Sequence, residues 1–475
     1  MSSDNRKPSL LWAFLTFTVP VAVILYGTVV VGVRPPVLPL LVAVGLAGIM
    51  SLKIGYTWEE LQEGMLSAVG RIQLAVAILM LVGMIIAAWM ASGTIPAIIY
   101  WGLKLIAPEH FLVSTFILCS VASLATGTSF GTMGTIGVAL LGVGGAMGFD
   151  PAWTVGAIVS GAYFGDKMSP VSDSTNITAT VCEVPLFTHI SSMLWTTVPA
   201  ALLAIAAYWM LGSTHTGDTA NIANINNILN NIEASFNLSP LVFIPPVLMI
   251  VLAYKRFPVL PVMVVCLVSA LAIALAEGAT ISDLATQLTR GYKATTASPE
   301  LNKLLSRGGL MSIMVTILLL TSGMAFGGIL EKARVLEVLL DAMLRGAKSA
   351  TSVIGATLAA AYIILFGTGS QILAVVVPGR AFSDAYKKAD LAPQILSRTC
   401  EDAGTLGCPL VPWSVHAFYI LGVLGVSAVD FMPYAFFNYI IPFVSIGCAV
   451  TGFGIFNTKG ESARQVLLSK TNSAA

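Results

Sequence analysis

The feature that most constrains the fold of this chain is a series of apolar runs that are nearly free of charge. Residues 10–33, 72–92 and 258–276 contain no acidic or basic side chain. A helix needs about 20 mostly apolar residues to cross the hydrocarbon core of a bilayer. The helix also satisfies its own backbone hydrogen bonds, which the core has no water to satisfy. The runs therefore predict an all-α polytopic membrane protein.

Composition excludes several other classes of protein. Of the 475 residues, 56% are hydrophobic and only 10% are charged, and the mean hydropathy is +0.88. A soluble domain carries about 25% charge, so this chain has too little polar surface for an ordinary soluble enzyme or a disordered protein. Lys and Arg number 24 against 23 Asp and Glu, which leaves no basic field for nucleic acid. An outer-membrane barrel is disfavoured because its strands alternate apolar and polar residues.

The sequence lacks motifs for a prosthetic metal or a nucleotide. The histidines lack HxxxH spacing, and neither CxxC nor GxxxxGK[ST] occurs. We therefore expect no zinc, no haem and no ATP-driven transport within this chain. The cysteines are interpreted as small residues of the membrane core rather than as disulfide partners. They are Cys119, Cys182, Cys266, Cys400, Cys408 and Cys448.

Thirteen segments are predicted as membrane spans or half-spans, and several of them are short or interrupted by Gly and Pro. They are residues 10–33, 36–54, 72–92, 111–126, 152–165, 188–212, 239–254, 258–276, 309–330, 350–366, 393–412, 414–429 and 433–456. The first is too long for a signal-peptide core and has no small-residue cleavage site after it, so we expect it to be retained.

A hydrophilic segment divides the chain nearly in half. Residues 213–237 are rich in Asn and Thr and contain no Lys or Arg, which predicts an external loop. It would link a first transmembrane repeat, 1–212, to a second, 238–475. Basic residues favour the cytoplasmic side and place both termini there. They are Arg6, Lys7, Lys255, Arg256, Lys459, Arg464 and Lys470.

The two halves resemble each other at a constant offset of 242 residues. Residues 126–172 align with 368–414 without a gap, and the same offset maps the run 72–92 onto 314–334. An odd number of crossings in each half predicts inverted repeats, which also explains why the basic segment 290–307 departs from the charge rule. Inverted repeats favour a secondary transporter. The identical pairs are Thr126/Thr368, Gly127/Gly369, Gly137/Gly379, Ala139/Ala381, Pro151/Pro393, Gly165/Gly407, Pro170/Pro412 and Ser172/Ser414.

The segment 160–178, SGAYFGDKMSPVSDSTNIT, concentrates charge and hydroxyl groups directly after an apolar run. A broken helix is predicted here, and its open carbonyls are tolerated at membrane depth only where they line a cavity or bind an ion. Carboxylates, hydroxyls and carbonyls are hard ligands that suit sodium. An ordinary polar loop is the alternative. Lys167 is either the ion-pair partner of Asp166 or a group displaced when a cation or proton arrives. The predicted helix breakers are Gly161, Gly165 and Pro170.

The mirror segment 397–416 places Glu401 and Asp402 in a small-residue, apolar stretch. An acidic pair at membrane depth is costly unless a proton or a cation neutralises it, which points to an ion site. The alternative is a structural ion pair between Arg398 and one of the two carboxylates. The Gly/Ser/Thr segments ATGTSFGTMGT, 125–135, and FGTGSQI, 366–372, occupy mirror positions. They predict either helix breaks at a central site or close helix packing.

These residues resemble the NhaC-type Na+/H+ antiporter family, part of a wider ion-transporter superfamily. The long stretch GDKMSPVSDSTN, the following HISSMLWTTVPA, the segment ATGTSFGT and the arrangement R-x-x-E-D-x-G-T at 398–405 match that family. The resemblance covers most of the chain. It implies two inverted repeats, each with a re-entrant hairpin and a broken helix, and an elevator-like shift of a transport domain against a scaffold.

The resemblance also implies the members of the ion site. Residues expected at or near the cation and proton site are Asp166, Ser169, Asp173, Thr175, Asn176, Glu401, Asp402 and Thr405. Thr128 and Ser129 would lie at the tip of the first hairpin, and Ser370 at the tip of the second. Sodium is the only metal expected, as a transported ion, and no cofactor is expected.

Two transport reactions are compatible with the family. The first is exchange of sodium for protons in the cell membrane; the second is exchange of malate and protons for lactate and sodium. A carboxylate substrate would need a positive partner, and the cations near the motifs are Lys167, Arg380 and Arg398. A membrane enzyme, an assembly subunit and a passive channel are rival classes, and no nucleophile–base pair supports an enzyme. A homodimer is an expectation from the family alone.

Overall fold

The computed structural model describes residues 6–214, 219–255, 257–347 and 349–462. Within these ranges the chain is helical, and extended pairing is confined to one bridge between Phe456 and Ser462. Among the described residues, nine helices are long and apolar enough to cross a membrane, or up to 12 if each bent pair is one span. The fold is therefore an all-α polytopic one, as predicted. Three residues used above for topology, Arg256, Arg464 and Lys470, lie outside the described residues.

The helices of the first half are α1 (Leu10–Leu25), α2 (Val37–Ile54), α3 (Trp58–Gly70), α4 (Gln73–Ala91), α5 (Thr94–Leu105), α6 (Phe111–Thr126), α7 (Ser129–Thr132), α8 (Val138–Ala146), α9 (Pro151–Met168), α10 (Asp173–Val181) and α11 (Leu186–Ser213). Helix α12 (Thr219–Ser235) follows in the middle of the chain.

The helices of the second half are α13 (Ile244–Tyr254), α14 (Val259–Ala276), α15 (Ile281–Arg290), α16 (Pro299–Leu305), α17 (Met314–Lys332), α18 (Val335–Gly346), α19 (Ala350–Thr368), α20 (Gln371–Ala381), α21 (Ser383–Lys388), α22 (Pro393–Cys400), α23 (Val415–Leu424), α24 (Ala428–Phe431) and α25 (Phe436–Thr451). A π-helical turn, Glu401–Thr405, continues α22.

The predicted spans coincide with helices to within a few residues. The run 72–92 is α4, and 258–276 is α14. One candidate span was missed, the arm Ser129–Ala146, and so was the shorter apolar helix α20, Gln371–Ala381. The arm is rich in Gly and Thr, which lowers its apparent hydropathy although most of it is buried.

The central linker differs from the predicted loop, because residues 219–235 of the segment 213–237 form helix α12. Ile228 and Ile232 are one turn apart, and both are buried. Glu233 accepts a hydrogen bond from the Tyr100 hydroxyl at 3.2 Å, which ties α12 to α5. The high Asn content concealed an apolar stripe at helical spacing.

Helix boundaries recur in the two halves at the offset found in the sequence. Helix α6 ends at Thr126 and α19 ends 242 residues later, at Thr368. Each is followed by a left-handed glycine, Gly127 with φ +69° and Gly369 with φ +63°. Pro151 and Pro393 likewise begin α9 and α22. Helix boundaries therefore recur at this offset, and two repeats inverted across the membrane stay a prediction.

Ion pairs mark the two ends of α1. Before it, Arg6 contacts Glu60 on α3 at 2.7 Å, and Lys7 contacts Glu337 on α18 at 2.5 Å. Hydrogen bonding to Arg334 lowers the pKa of the Glu337 carboxyl to about 2. Beyond the other end of α1, Arg34 pairs with Asp430 on α24. The N-terminal segment is thereby held against both halves of the chain.

Gly161 and Gly165 do not break a helix, in contrast to the prediction. Helix α9 continues through both glycines to Met168, and its break follows at 169–172, around Pro170. The glycines let α9 approach α6 closely. A Cβ on Gly161 would lie 2.3 Å from the Phe116 carbonyl oxygen, and one on Gly165 would lie 2.3 Å from that of Ser120.

We expect Gly161→Ala to destabilise the fold by about 1–3 kcal/mol, because the added methyl group meets the α6 backbone. The matched control is Gly355→Ala on α19, where a Cβ would meet nothing within 4 Å. Size-exclusion chromatography of the detergent-solubilised protein, after heating to a series of temperatures, would give the thermal midpoint of each variant. Equal midpoints for the two variants would show that the α6–α9 contact is not tight.

Candidate functional site

The first break separates α9 from α10 and places polar groups around Asp166. Pro170 lies within the break because its ring cannot continue the helical hydrogen-bond ladder. Asp166 is 7% exposed. Its Oδ1 accepts a hydrogen bond from the Ser172 hydroxyl at 2.5 Å, and its Oδ2 accepts one from the Ser129 backbone N–H at 3.2 Å. The break and the first hairpin tip therefore meet at this carboxylate.

The other hairpin-tip residues have capping roles. Thr128 accepts the Gly131 N–H at 3.2 Å, and Ser370 accepts the Leu373 N–H at 3.4 Å, so each begins the next helix. The second tip reaches the opposite break through its next residue, since Gln371 Nε2 donates to the Thr405 hydroxyl at 3.1 Å. Ser129 and Gln371 thus each contact a residue of a helix break, and Ser129 contacts a carboxylate. Their place at the tips of re-entrant hairpins stays a prediction.

The second break holds two fully buried carboxylates, Glu401 and Asp402, on the π-helical turn. Glu401 Oε1 accepts a hydrogen bond from the Thr178 hydroxyl of α10 at 2.7 Å. Asp402 Oδ1 accepts one from the Thr196 hydroxyl of α11 at 3.0 Å. Glu401 Oε2 and Asp402 Oδ2 have no hydrogen-bond partner among the described residues. Buried acceptors of this kind are costly unless a cation or a proton meets them.

Lys167 pairs with Asp402 rather than with its sequence neighbour Asp166. Both side chains of the pair are fully buried, and they come from opposite halves of the chain. Each is therefore compensated by the other at a depth where an unpaired charge would be costly.

Arg398 forms no ion pair with Glu401 or Asp402, so the proposed structural salt bridge is wrong. Its guanidinium donates instead to the carbonyl oxygens of Gly454, at 2.9 Å, and Ser192, at 3.4 Å. The Arg398 side chain is therefore buried between α11, which carries Ser192, and the segment after α25, which carries Gly454. Arg380, the third cation near the motifs, is exposed.

The remaining predicted residues divide into two groups. Ser169 and Thr175 are buried and brace the break, by donating to the carbonyl oxygens of Leu124 at 2.8 Å and Lys167 at 3.0 Å. Asp173 and Asn176 lie on the exposed face of α10. In the described part of the chain, no hydrogen bond joins Asp173 to the buried carboxylates, although it lies close enough to Asp166 for electrostatic repulsion.

Several contributing residues were not predicted as site members. Ser172 binds Asp166, Thr178 binds Glu401, and Thr196 binds Asp402. Ser172 was noted only as part of the polar surroundings. A hydroxyl in an apolar helix is a weak signal, because Ser and Thr can satisfy themselves on their own backbone. Their partners become evident only when the helices are packed.

The donor set suits a transported cation better than a resident metal. The Asp166 carboxylate lies beside the Ser172 hydroxyl, and carboxylate and hydroxyl oxygens are hard ligands. Among the described residues, no group of three or more His, Cys, Asp or Glu side chains could hold a metal ion. All six cysteines are buried and free. The chemistry available to buried carboxylates is neutralisation by a proton or a small cation.

Comparison with known proteins gives one family match and several similar proteins, all of which are antiporters by name. Residues 161–453 match the profile of a family described as the Na+/H+ antiporter family. The chain is similar to the Na(+)/H(+) antiporter NhaC of Alkalihalophilus pseudofirmus, with 37% identity over 95% of this chain and 97% of that protein. Similarity to NhaC of Bacillus subtilis is 35% identity, over 86% of this chain and 91% of the relative.

A third relative is named for a different transport reaction. It is the malate-2H(+)/Na(+)-lactate antiporter of Bacillus subtilis, which is 33% identical over 97% of this chain and 98% of its own length. All three relatives are antiporters rather than enzymes, and the resemblance inferred from the motifs is confirmed.

We expect Lys167→Met and Asp402→Asn each to destabilise the protein by about 3–5 kcal/mol, because each leaves one buried charge unpaired. The double variant should recover most of that loss, since it removes both charges. Thermal midpoints in detergent would measure this cycle. Glu331→Gln is a suitable control, because its partner Arg71 and Glu331 itself are about 40% exposed, at 39% and 43%. Additive losses in the double variant would contradict the pairing.

Proposed function

The chain belongs to the Na+/H+ antiporter family, and we propose that it exchanges sodium ions for protons across the cell membrane, by alternating access to a site centred on Asp166. The observation that carries the proposal is the Asp166 carboxylate, buried where the first helix break meets the hairpin tip. The family and the relatives described above support sodium/proton antiport.

Competition for one carboxylate would couple the two ions. A proton neutralises Asp166 directly, and sodium would neutralise it with help from hydroxyl and carbonyl oxygens at the break. Both cannot occupy the same oxygen atoms, so binding of one promotes release of the other. Glu401 Oε2, which has no described partner, provides a second acceptor of the same kind.

Contacts between the two breaks support an elevator-like movement. Lys167 on α9 pairs with Asp402, and Thr178 on α10 donates to Glu401, so the broken helices are joined at two points. Elements joined in this way would move as one body against the remaining helices. Alternating access would then consist of shifting the whole ion site rather than opening it from within.

Organic-acid exchange is the second candidate, because a malate/lactate antiporter is among the relatives. A carboxylate substrate would need a cation that is free to bind it. Lys167 is engaged by Asp402, and the Arg398 guanidinium donates to backbone carbonyls. The engagement of Lys167 favours simple sodium/proton exchange, whereas Arg398 Nε has no hydrogen-bond partner among the described residues and Arg380 is exposed.

We expect Asp166→Asn to abolish sodium-dependent proton movement, because an amide neither binds nor releases a proton at physiological pH. Purified protein in liposomes with an internal pH dye and an imposed sodium gradient would measure this. Asp173→Asn, which changes an exposed carboxylate, should lower the rate less. Asp150→Asn is a matched control, because Asn retains the cap that Asp150 gives to Ala152. Wild-type exchange by Asp166→Asn would exclude this site.

The same liposomes distinguish the two candidate reactions. We expect proton movement with sodium alone, and no further increase when malate and lactate are supplied on opposite sides. Movement that requires an organic acid would instead establish a carboxylate exchanger and would overturn simple sodium/proton exchange. Protein-free liposomes under the same gradients provide the control for leakage.

A further inference from the structure

Ion pairs join four helices of the described chain into one group. Helices α1, α3, α17 and α18 each contribute charged residues, on the helix itself or directly beside it, and we call them the frame group. Helix α3 also packs closely on α17, since a Cβ on Gly328 would lie 2.4 Å from the Gly64 carbonyl oxygen. The ion pairs of the frame group are Arg6–Glu60, Lys7–Glu337, Arg71–Glu331 and Lys332–Glu63, with nitrogen–oxygen distances of 2.5–2.7 Å.

The candidate site belongs to a second group of helices. The buried ion pair described above joins α9 to the turn after α22. The start of α25 is joined to α9, because the Phe437 backbone N–H donates to the Ser160 hydroxyl at 3.3 Å. Asn438 Nδ2 donates to the Leu406 carbonyl oxygen at 3.0 Å, directly after the second break. We call α9, α22, α24 and α25, together with α19 and α23, which pack on them, the site group.

Glycines let the two groups pack closely where α17 meets α19 and α23. A Cβ on Gly327 would lie 2.7 Å from Cα of Thr368, and one on Gly323 would lie 2.9 Å from the Trp413 carbonyl oxygen. The Thr321 hydroxyl on α17 donates to a carbonyl oxygen of its own helix, at 2.8 Å. Van der Waals contacts have no preferred direction, unlike hydrogen bonds, so helices that meet in this way can slide past each other by small steps.

One ion pair crosses between the two groups. Of the ion pairs among the described residues, the pair of Arg34, which follows α1, and Asp430 on α24 is the one that connects the frame group to the site group. The Ser427 hydroxyl donates to Asp430 Oδ2 at 2.8 Å and leaves Oδ1 to Arg34. The two side chains are 46% and 37% exposed, so water and salt reach them. An exposed pair is weak enough to open and close.

A cavity of about 420 Å³ adjoins this ion pair and lies between the two groups. Val315 and Thr316 of α17 line one side, and Phe418 and Leu421 of α23 line the other. Fewer side-chain contacts have to be broken at a cavity than at a close-packed surface when two groups move. The ion pair therefore supplies a directional contact at a place where the packing between the groups is incomplete.

We propose that the Arg34–Asp430 ion pair is a latch, which holds the site group against the frame group in the described state and opens when the site group moves. This inference rests on the proposed exchange by alternating access. The two charges meet in one of the alternating states, so the pair stabilises that state relative to the other. Salt weakens an exposed pair by screening, so the latch is also sensitive to ionic strength.

Crosslinking tests whether Arg34 and Asp430 separate during transport. The double variant Arg34→Cys/Asp430→Cys would be bridged in detergent with a bis-methanethiosulfonate reagent and then reconstituted into liposomes. We expect the bridge to stop sodium/sodium counterflow, followed with radioactive sodium, and a reductant to restore it. The matched control is Arg71→Cys/Glu331→Cys, because that pair is similarly exposed and lies within the frame group, so its bridge should leave counterflow unchanged. Wild-type protein, whose six cysteines are buried, would receive the same reagent.

Removal of one charge tests the latch without a crosslink. We expect Arg34→Gln and Asp430→Asn each to speed counterflow at low ionic strength, by up to about fivefold, because the movement no longer has to break the pair. The double variant should be no faster than either single variant, since each removes the same contact. Choline chloride should speed counterflow by the wild-type protein but not by these variants. Arg71→Gln is the control and should keep the wild-type rate and salt dependence.

The possible results separate the latch from the proposed function. Counterflow at the wild-type rate after residues 34 and 430 are bridged would overturn the latch, and so would equal inhibition by the control bridge. Additive effects of Arg34→Gln and Asp430→Asn, or slower counterflow in both, would overturn it as well. Counterflow by the wild-type protein without any sodium/proton exchange would instead contradict the proposed function and leave the latch standing.

Discussion

The ion pair between Lys167 and Asp402 is the interaction on which the rest of the site depends. Burying two charges costs several kcal/mol for each ion, and the cost is offset only when both partners are present. Lys167 belongs to the first half and Asp402 to the second, so neither break can pack at its observed depth without the other. The Thr178–Glu401 hydrogen bond joins the same two segments. The site therefore forms only when both halves have folded together.

This pairing also determines which charges an ion must balance. Because Lys167 neutralises Asp402, the carboxylates left for exchange are Asp166 and Glu401. Neither of them forms an ion pair in the described chain, and both accept hydrogen bonds from hydroxyl groups. Hydroxyl and amide donors stabilise a carboxylate without occupying all of its acceptor sites, so a small cation can still bind. In the proposed exchange, these two carboxylates are the groups that sodium or a proton would neutralise.

The sequence predicted most of the spans and the positions of both breaks, because these depend on local composition. Apolar length predicted α4, and glycine in a Gly/Thr segment predicted the interruption at Gly127. The partner of Lys167 could not be predicted, since it lies on another helix 235 residues away. The same limit applies to the α9 glycines: a helix breaker and a close-packing residue look alike until the neighbouring helix is known. The carbonyl partners of Arg398 could not be predicted either, because spacing along one helix says nothing about carbonyl groups on another.

At the offset of 242 residues the helix boundaries recur, but the charged residues of the candidate site do not. The site residues and their counterparts are Asp166 with Cys408, Lys167 with Pro409, Glu401 with Val159, and Asp402 with Ser160. If the repeat arose by duplication, the two copies have since divided the charges between them. Two copies of the first half would bury two lysines without the Asp402 carboxylate, and two copies of the second would bury four carboxylates without a lysine. The halves are therefore no longer interchangeable, and neither sequence can drift independently of the other.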